Sequence, residues 1–411
     1  MILYKFRRKI INKFKNGLFR KRLVKRSFKF DLIIYDTIFP HPVSGFRYEE
    51  FKVLLSEFYN SKIFLEPTAY PLVKTNSNVH KIHILDFKAN FPQLKNKVSR
   101  KKQFTNINTK LFYCVFLNTI YSNLYWLEKY NIPFIFTLYP GGGFKVGEEL
   151  SDNRLHKVLN SPQFKKIIVT QLFTKNYLID NGFCAPNKIE YIFGGVVPQV
   201  SLNTNLIAKI NYPNKKTFDI VFCAAKYMPK GVDKGYDVFI ELAHSLIRKY
   251  DFIRFHVVGG FDKDDINVSL LGDSITFYGY QNFESLGSIY TKMDVILSPN
   301  KPFHLDKGAF DGFPLGTVVE AVLNGVVAIV TDTLNQNTVF EEGKEIIIIN
   351  DDINFIEKKI IDLISNPEKL LEISQRGRIK FLEVYSNEYQ MNQRIGLLKQ
   401  EIEKYKHDQR N

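Results

Sequence analysis

The sequence predicts an α/β chain of two tandem doubly wound, Rossmann-like domains with a cleft between them. Three observations lead there. From Asp31 onward, short apolar runs alternate with stretches of helical period, the pattern of parallel sheets covered by helices. The alternation stops at a polar stretch, Ser201–Thr217, and restarts at Asp219. The 411 residues also exceed one ordinary domain and suit two of roughly 150–200 residues each.

In the first half the expected strands are Asp31–Tyr35, Lys62–Leu65, Lys81–Leu85, Pro133–Leu138, Lys166–Thr170 and Ile189–Phe193, with helices at Arg47–Tyr59 and Leu117–Tyr130. In the second half they are Asp219–Ala224, Arg254–Val258, Ile275–Tyr278, Asp294–Ser298, Val326–Thr331 and Glu345–Ile349. Helix Tyr236–Tyr250 turns Phe239, Leu242 and Leu246 inward, and Asn387–Asp408 reads as a charged helix. The expected division is a leader (1–30), a first domain (31–200), a linker (201–217), a second domain (218–386) and the last helix (387–411). Tandem sheets of this kind leave a cleft between their carboxyl edges, where ligands of doubly wound folds bind.

Hydrophobic content of 45% with 24% charged residues lets both halves bury a core. Cys114, Cys184 and Cys223 are scattered, show no metal-ligand pairing and read as reduced thiols. The net charge of +15 sits mostly in residues 1–30, which hold twelve Lys or Arg and no acid. The rest carries 45 basic against 42 acidic residues, so nucleic-acid binding by the folded part is not expected. Within the leader, Leu3, Phe6, Ile10, Phe14 and Leu18 recur at helical steps opposite the cations. Such a helix suits an anionic membrane surface; a solvated tail, or an arm packed on the protein, is the other reading. No uncharged apolar run reaches about 18 residues, and no signal peptide is evident. The expected location is cytoplasmic, peripheral on the inner face of the plasma membrane.

The chemistry concentrates in Asp311-Gly-Phe-Pro-Leu-Gly-Thr-Val-Val-Glu320, a loop that runs into a helix, Leu315–Asn324. Gly312 and Gly316 let the backbone approach a ligand closely, and a helix N-terminus attracts phosphate. Val318, Val319, Val322 and Leu323 form the buried stripe, which puts Glu320 on the other side. On pattern alone two readings stand: a pair of ligand-facing acids, or a turn cap and a solvated glutamate.

The segment Phe310–Gly325 resembles the donor-sugar signature of retaining GT-B glycosyltransferases, especially family 4. The resemblance implies that Asp311 holds sugar hydroxyls and Glu320 the nucleotide ribose. Gly312, Phe313, Pro314, Leu315 and Gly316 would then face sugar and diphosphate. Here Asp311 stands where Glu is usual, and eight residues rather than seven separate it from Glu320. Upstream, Phe222-Cys-Ala-Ala-Lys226 and Lys234-Gly-Tyr-Asp resemble the family's Arg and Lys that neutralise the donor diphosphate, with Lys230 as a competing ligand. Preplaced cations stabilise a leaving group as its charge develops. The resemblance also makes Tyr280 a nucleobase contact, and it implies no metal or other cofactor beyond the nucleoside diphosphate sugar that serves as donor substrate.

In the first half, Phe39–Arg47 and Tyr139–Phe144 are loops after expected strands. Family members use corresponding loops for the acceptor and the inner donor site, which marks His41, Gly45, Arg47, Gly141, Gly142 and Gly143. Tight turns and ordinary loop roles fit the same residues. His304 lacks a paired acid, and Asp262–Asp265 reads as a solvated polar loop. No Walker, zinc-protease, nucleophile-elbow or kinase motif occurs. The expected activity is transfer of a sugar from a nucleotide-sugar to a glycan or lipid-linked acceptor in surface-polysaccharide synthesis. A nucleotide-sugar epimerase, an inverting transferase and a non-catalytic carbohydrate-binding relative are the alternatives.

Overall fold

The computed structural model describes residues 23–73, 76–102, 104–198, 200, 209 and 211–408. Most of the basic leader and of the expected linker, with the apolar stripe of residues 3–18 expected to meet a membrane, lies outside them.

Seven parallel strands form the first sheet: β1 (Phe30–Asp36), β2 (Ser61–Leu65), β3 (Val98–Arg100), β4 (Thr109–Val115), β5 (Phe134–Leu138), β6 (Phe164–Val169) and β7 (Ile189–Tyr191). Their order is β3-β2-β1-β4-β5-β6-β7. Helices α1 (Gly45–Glu57), α2 (His80–Asn90), α3 (Leu117–Lys129), α4 (Glu149–Leu159) and α5 (Leu172–Asp180) accompany it. Leu32, Ile33 and Ile34 are all buried, as they must be in a strand covered on both faces.

The second sheet has six parallel strands: β8 (Phe218–Ala224), β9 (Ile253–Gly259), β10 (Ile275–Gly279), β11 (Val295–Ser298), β12 (Val327–Thr331) and β13 (Ile347–Ile349). They run in the order β10-β9-β8-β11-β12-β13. Its helices are α6 (Tyr236–Ile247), α7 (Phe283–Tyr290), α8 (Gly316–Leu323), α9 (Ile353–Ser365) and α10 (Pro367–Val384). Strand order reverses between β1 and β4 in one sheet and between β8 and β11 in the other. Those two switch points open crevices at the carboxyl ends of the strands.

Three elements of the first sheet region differ from expectation. Lys81–Leu85 is not a strand but part of α2. Its alternating Ile82 and Ile84 mimic a strand, yet the buried positions are His80, Ile84 and Phe87, spaced as one helical face. The edge strand β3 and the central strand β4 lie in segments where no strand was expected.

The last helix, α11 (Asn387–Asp408), returns to the first domain, where Met391, Leu397 and Leu398 join a core with Phe51 and Tyr113. Arg394 is fully buried there. Its Nη1 donates to the Gln390 carbonyl at 2.5 Å, and its Nη2 lies 3.5 Å from the Tyr139 hydroxyl. Tyr139 donates to Glu50 Oε2 at 3.0 Å, and Tyr113 also donates to Glu50. Burial pushes the Glu50 carboxyl up, and Arg394 and the two hydroxyls pull it back. A charged C-terminal helix is thus tied to the first domain through its one buried guanidinium.

Candidate active site

A cavity of about 690 Å³ lies between the two sheets' carboxyl edges. From the second domain it takes Lys234, at the loop that follows β8, and Asp311, at the loop that follows β11. From the first it takes Gly141–Gly143 after β5, Thr170 and Gln171 after β6, and Phe116 after β4. This is the size of a pocket for a drug-sized or nucleotide-sized ligand.

Lys234 is placed by backbone packing. Gly235, at φ +71°, opens α6, and a Cβ there would sit 2.1 Å from the Pro299 carbonyl oxygen. Only glycine lets the loop after β8 press this closely on the loop after β11. The Lys234 ammonium then lies 2.5 Å from Asp311 Oδ2, with its side chain 5% exposed. Asn300 Nδ2 reaches the same oxygen at 3.4 Å, and the Tyr227 ring centre is 5.2 Å from the ammonium.

Lys226 is held elsewhere. It pairs with Asp265, which raises its pKa, and it is not among the residues lining the cavity. The Asp262–Asp265 loop is exposed at 262–264, as expected, and its Asp265 supplies this counter-charge; Asp265 Oδ2 also accepts from the Asp262 amide at 3.1 Å. Lys230 is exposed in a left-handed turn, φ +58°. Tyr280 is 63% exposed and covers Gly260, where a Cβ would meet its hydroxyl at 2.7 Å.

Within the donor-like segment, Gly312, Pro314 and Gly316 line the cavity. Phe313 turns into the domain core, and its carbonyl accepts from Gln171 Nε2 at 3.4 Å. Leu315 borders a small recess behind Asp311. Thr317 Oγ1 donates to the Cys223 carbonyl at 3.0 Å and pins the first turn of α8 to the end of β8. Glu320 is half-buried, electrostatically coupled to Cys223 and Tyr290, and burial pushes its carboxyl up to about 7. It is not a solvated glutamate, and it is not among the residues that line the cavity.

The glycine loop is built for close approach. Gly141, Gly142 and Gly143 have φ of +79°, +56° and +93°. A Cβ would lie 2.2 Å from the Phe116 ring at Gly142 and 2.1 Å from Asn118 Oδ1 at Gly143. The remaining first-domain candidates serve the neighbouring loop and do not line the cavity. His41 is buried against Tyr70 and His83, and burial lowers its pKa. Gly45 packs on Pro198, and Arg47 pairs with Asp36 at 3.3 Å and with Ser44 Oγ at 2.8 Å. Phe46, between them, does reach the cavity. His304 is exposed, its ring nitrogen 3.4 Å from the Pro302 carbonyl.

Sequence reasoning passed over Asp233. It lines the cavity, is 3% exposed, and its carboxylate is met by the backbone of Asp233 and Lys234, with no side-chain hydrogen bond among the described residues. Burial raises its pKa, and Lys234 pulls it down. Its adjacency to Lys234 was the only signal in the sequence. Among the described residues no cluster of His, Cys, Asp and Glu is arranged to hold a metal ion, and no helix is long and apolar enough to cross a membrane.

Residues 209–380 match the family model described as glycosyl transferases group 1. The match covers most of the second domain. The comparison with curated proteins returned no match. Among solved structures, HepE from Anabaena, crystallised with UDP, is similar over 89% of this chain and 98% of its own, at 13% identity and TM-score 0.62. Sucrose-phosphate synthase from Thermosynechococcus elongatus is similar over 90% and 98%, at 14% identity and TM-score 0.59. TarM of S. aureus is similar over 71% of this chain, at 16% identity and TM-score 0.51; the match spans about half, 54%, of TarM's length. These likenesses show the fold: two Rossmann-like domains of the GT-B kind.

Proposed function

We propose that this chain, with a glycosyltransferase group 1 domain facing a second Rossmann-like domain, moves a sugar from a nucleoside diphosphate donor to a glycan or lipid-linked acceptor with retention at the anomeric carbon. The observation that carries the reading is the meeting of Lys234 and Asp311 in the cleft at a switch point of the sheet. One is a buried cation suited to a diphosphate, the other a carboxylate suited to sugar hydroxyls. The resemblance assigns Glu320 on α8 to the ribose, Lys226 to phosphate and Tyr280 to the base, and none of the three is among the residues that line the cavity.

In the proposed reaction the bond between the anomeric carbon and the diphosphate oxygen breaks as the acceptor hydroxyl attacks the same face. The hydroxyl proton passes to the departing phosphate. Lys234, joined by Lys226 once it leaves Asp265, offsets the charge that grows on the leaving group, which is where placed charge lowers a barrier most. No metal is needed in this scheme. Donor binding exchanges partners in the cleft: the diphosphate takes the Lys234 ammonium, and Asp311 turns to the sugar. The glycine loop meets the inner donor or acceptor through bare backbone. Residues 1–30 attach the protein to the anionic inner face of the plasma membrane, in keeping with surface-polysaccharide synthesis.

Thermal stabilisation by UDP, GDP and ADP tests donor binding, since a ligand selective for the folded state raises its apparent stability. UDP comes first, because a structure of similar fold was solved with it. NMR of the product from a stabilising donor then decides the anomeric outcome. An inverted linkage refutes retention, and no stabilisation by any nucleotide refutes the donor site.

A further inference from the structure

The loop between β11 and α8, residues 299–315, is long for such a connection, and long loops without regular structure in compact domains are usually functional. Both its ends belong to the second domain. Asn300 O accepts from Thr331 Oγ1 at 2.7 Å, and Lys301 Nζ pairs with Asp237 at 2.8 Å. Its middle belongs to the first. Gly308 O accepts from the Val146 amide at 2.8 Å, and a Cβ on Gly308 would lie 2.0 Å from Val146 O. Asp306 pairs with Lys145. Phe310, 8% exposed, enters the first domain's hydrophobic core, 5.9 Å from the Phe144 ring and 5.4 Å from Phe173.

The residue after Phe310 is Asp311. An acid whose chain neighbour is fixed in one domain, while its ammonium partner Lys234 is fixed in the other, has its place set by how the domains meet. We propose that residues 302–310 are a positioning arm: anchored in the first domain by Gly308 and Phe310, the arm holds Asp311 in register with Lys234 and couples domain closure to assembly of the sugar site. The contacts are of three independent kinds: a backbone hydrogen bond, an ion pair and ring packing. The part played in turnover rests on the function proposed above; the latch between the domains does not.

The test uses the full chain with Gly308→Ala, Phe310→Ala, Lys145→Asp and the exchanged pair Lys145→Asp/Asp306→Lys. Small-angle scattering without ligand reads the separation of the domains, UDP titration reads the nucleotide site, and turnover with the donor found above reads Asp311. The arm predicts wider separation for the three single variants. It predicts turnover reduced by ~100-fold, the usual penalty for a misplaced group, with UDP Kd kept within about threefold. The exchanged pair should recover compactness and ~10-fold or more of the turnover lost by Lys145→Asp. Unchanged separation, unchanged turnover, or equal losses of UDP affinity and turnover overturns the arm. If Phe310→Ala does not fold, the charge exchange decides alone. A wild-type chain that binds no nucleotide defeats the function reading, while scattering still decides the latch.

Discussion

Lys234 and Asp311 stand 77 positions apart in the chain and share a 2.5 Å ion pair in the cleft. The ammonium that would take a diphosphate is occupied by the acid that would take a sugar. In the proposed reaction both groups change partners when a donor binds, and their substitutions should separate. Lys234→Ala is expected to weaken UDP binding by ~10–100-fold, the worth of a charge-assisted contact. Asp311→Asn should leave UDP affinity within about threefold and lower turnover ~100-fold. Calorimetric titration with UDP and steady-state rates check both; parallel losses in the two variants contradict the assignment.

Glu320 gives a pH test. Its carboxyl titrates near 7 in the fold because burial penalises the charge, against an ordinary value of 4.5. The folded state thus holds the proton that the unfolded state releases between those two values. Stability from this group is fully present below pH 4.5 and falls as pH rises to about 7. Glu320→Gln should remove that fall, worth ~1–3 kcal/mol. Melting of both proteins at acidic and mildly alkaline pH reads the effect, and equal pH slopes would count against it.

The glycine loop should rank its substitutions by space. Gly143→Ala and Gly142→Ala meet Asn118 and Phe116 at about 2 Å and also strain a positive φ. Each should cost ~2–3 kcal/mol. Gly141→Ala, with a positive φ but no atom within 4 Å of its Cβ, should cost only ~1 kcal/mol. Urea unfolding of the three variants tests the order.

Arg394 should matter more than a residue on a charged C-terminal helix ordinarily does. Arg394→Met leaves the Glu50 carboxylate buried without its balancing cation and should cost ~3–5 kcal/mol. Adding Glu50→Gln should recover at least ~1 kcal/mol, because the stranded charge is then gone. Denaturant midpoints of the single and double variants give the comparison.

Much of the fold was legible in order along the chain. Apolar runs such as Asp294–Ser298 suit strands covered on both faces, although the like run Leu111–Val115 in β4 was passed over. The segment Asp311–Glu320 was legible for a related reason: its glycines, helix start and two acids lie within one short stretch. Lys81–Leu85 misled because five residues of alternating pattern satisfy a strand and a helix equally, and only the packing of Ile84 and Phe87 chose the helix.

What the sequence by itself determined is the α/β class, the tandem division and the segment that carries the donor-like acids, since each depends on residues close in the chain. Tertiary structure alone decided the partners. Asp265 takes Lys226, Asp36 takes Arg47, Glu50 meets Arg394 through Tyr139, and Asp311 takes Lys234. Those pairings depend on which strand ends lie side by side at the switch points and on how closely glycines such as Gly235 let the loops approach. Charge acts through distance in space, and distance in space is what a linear pattern does not contain.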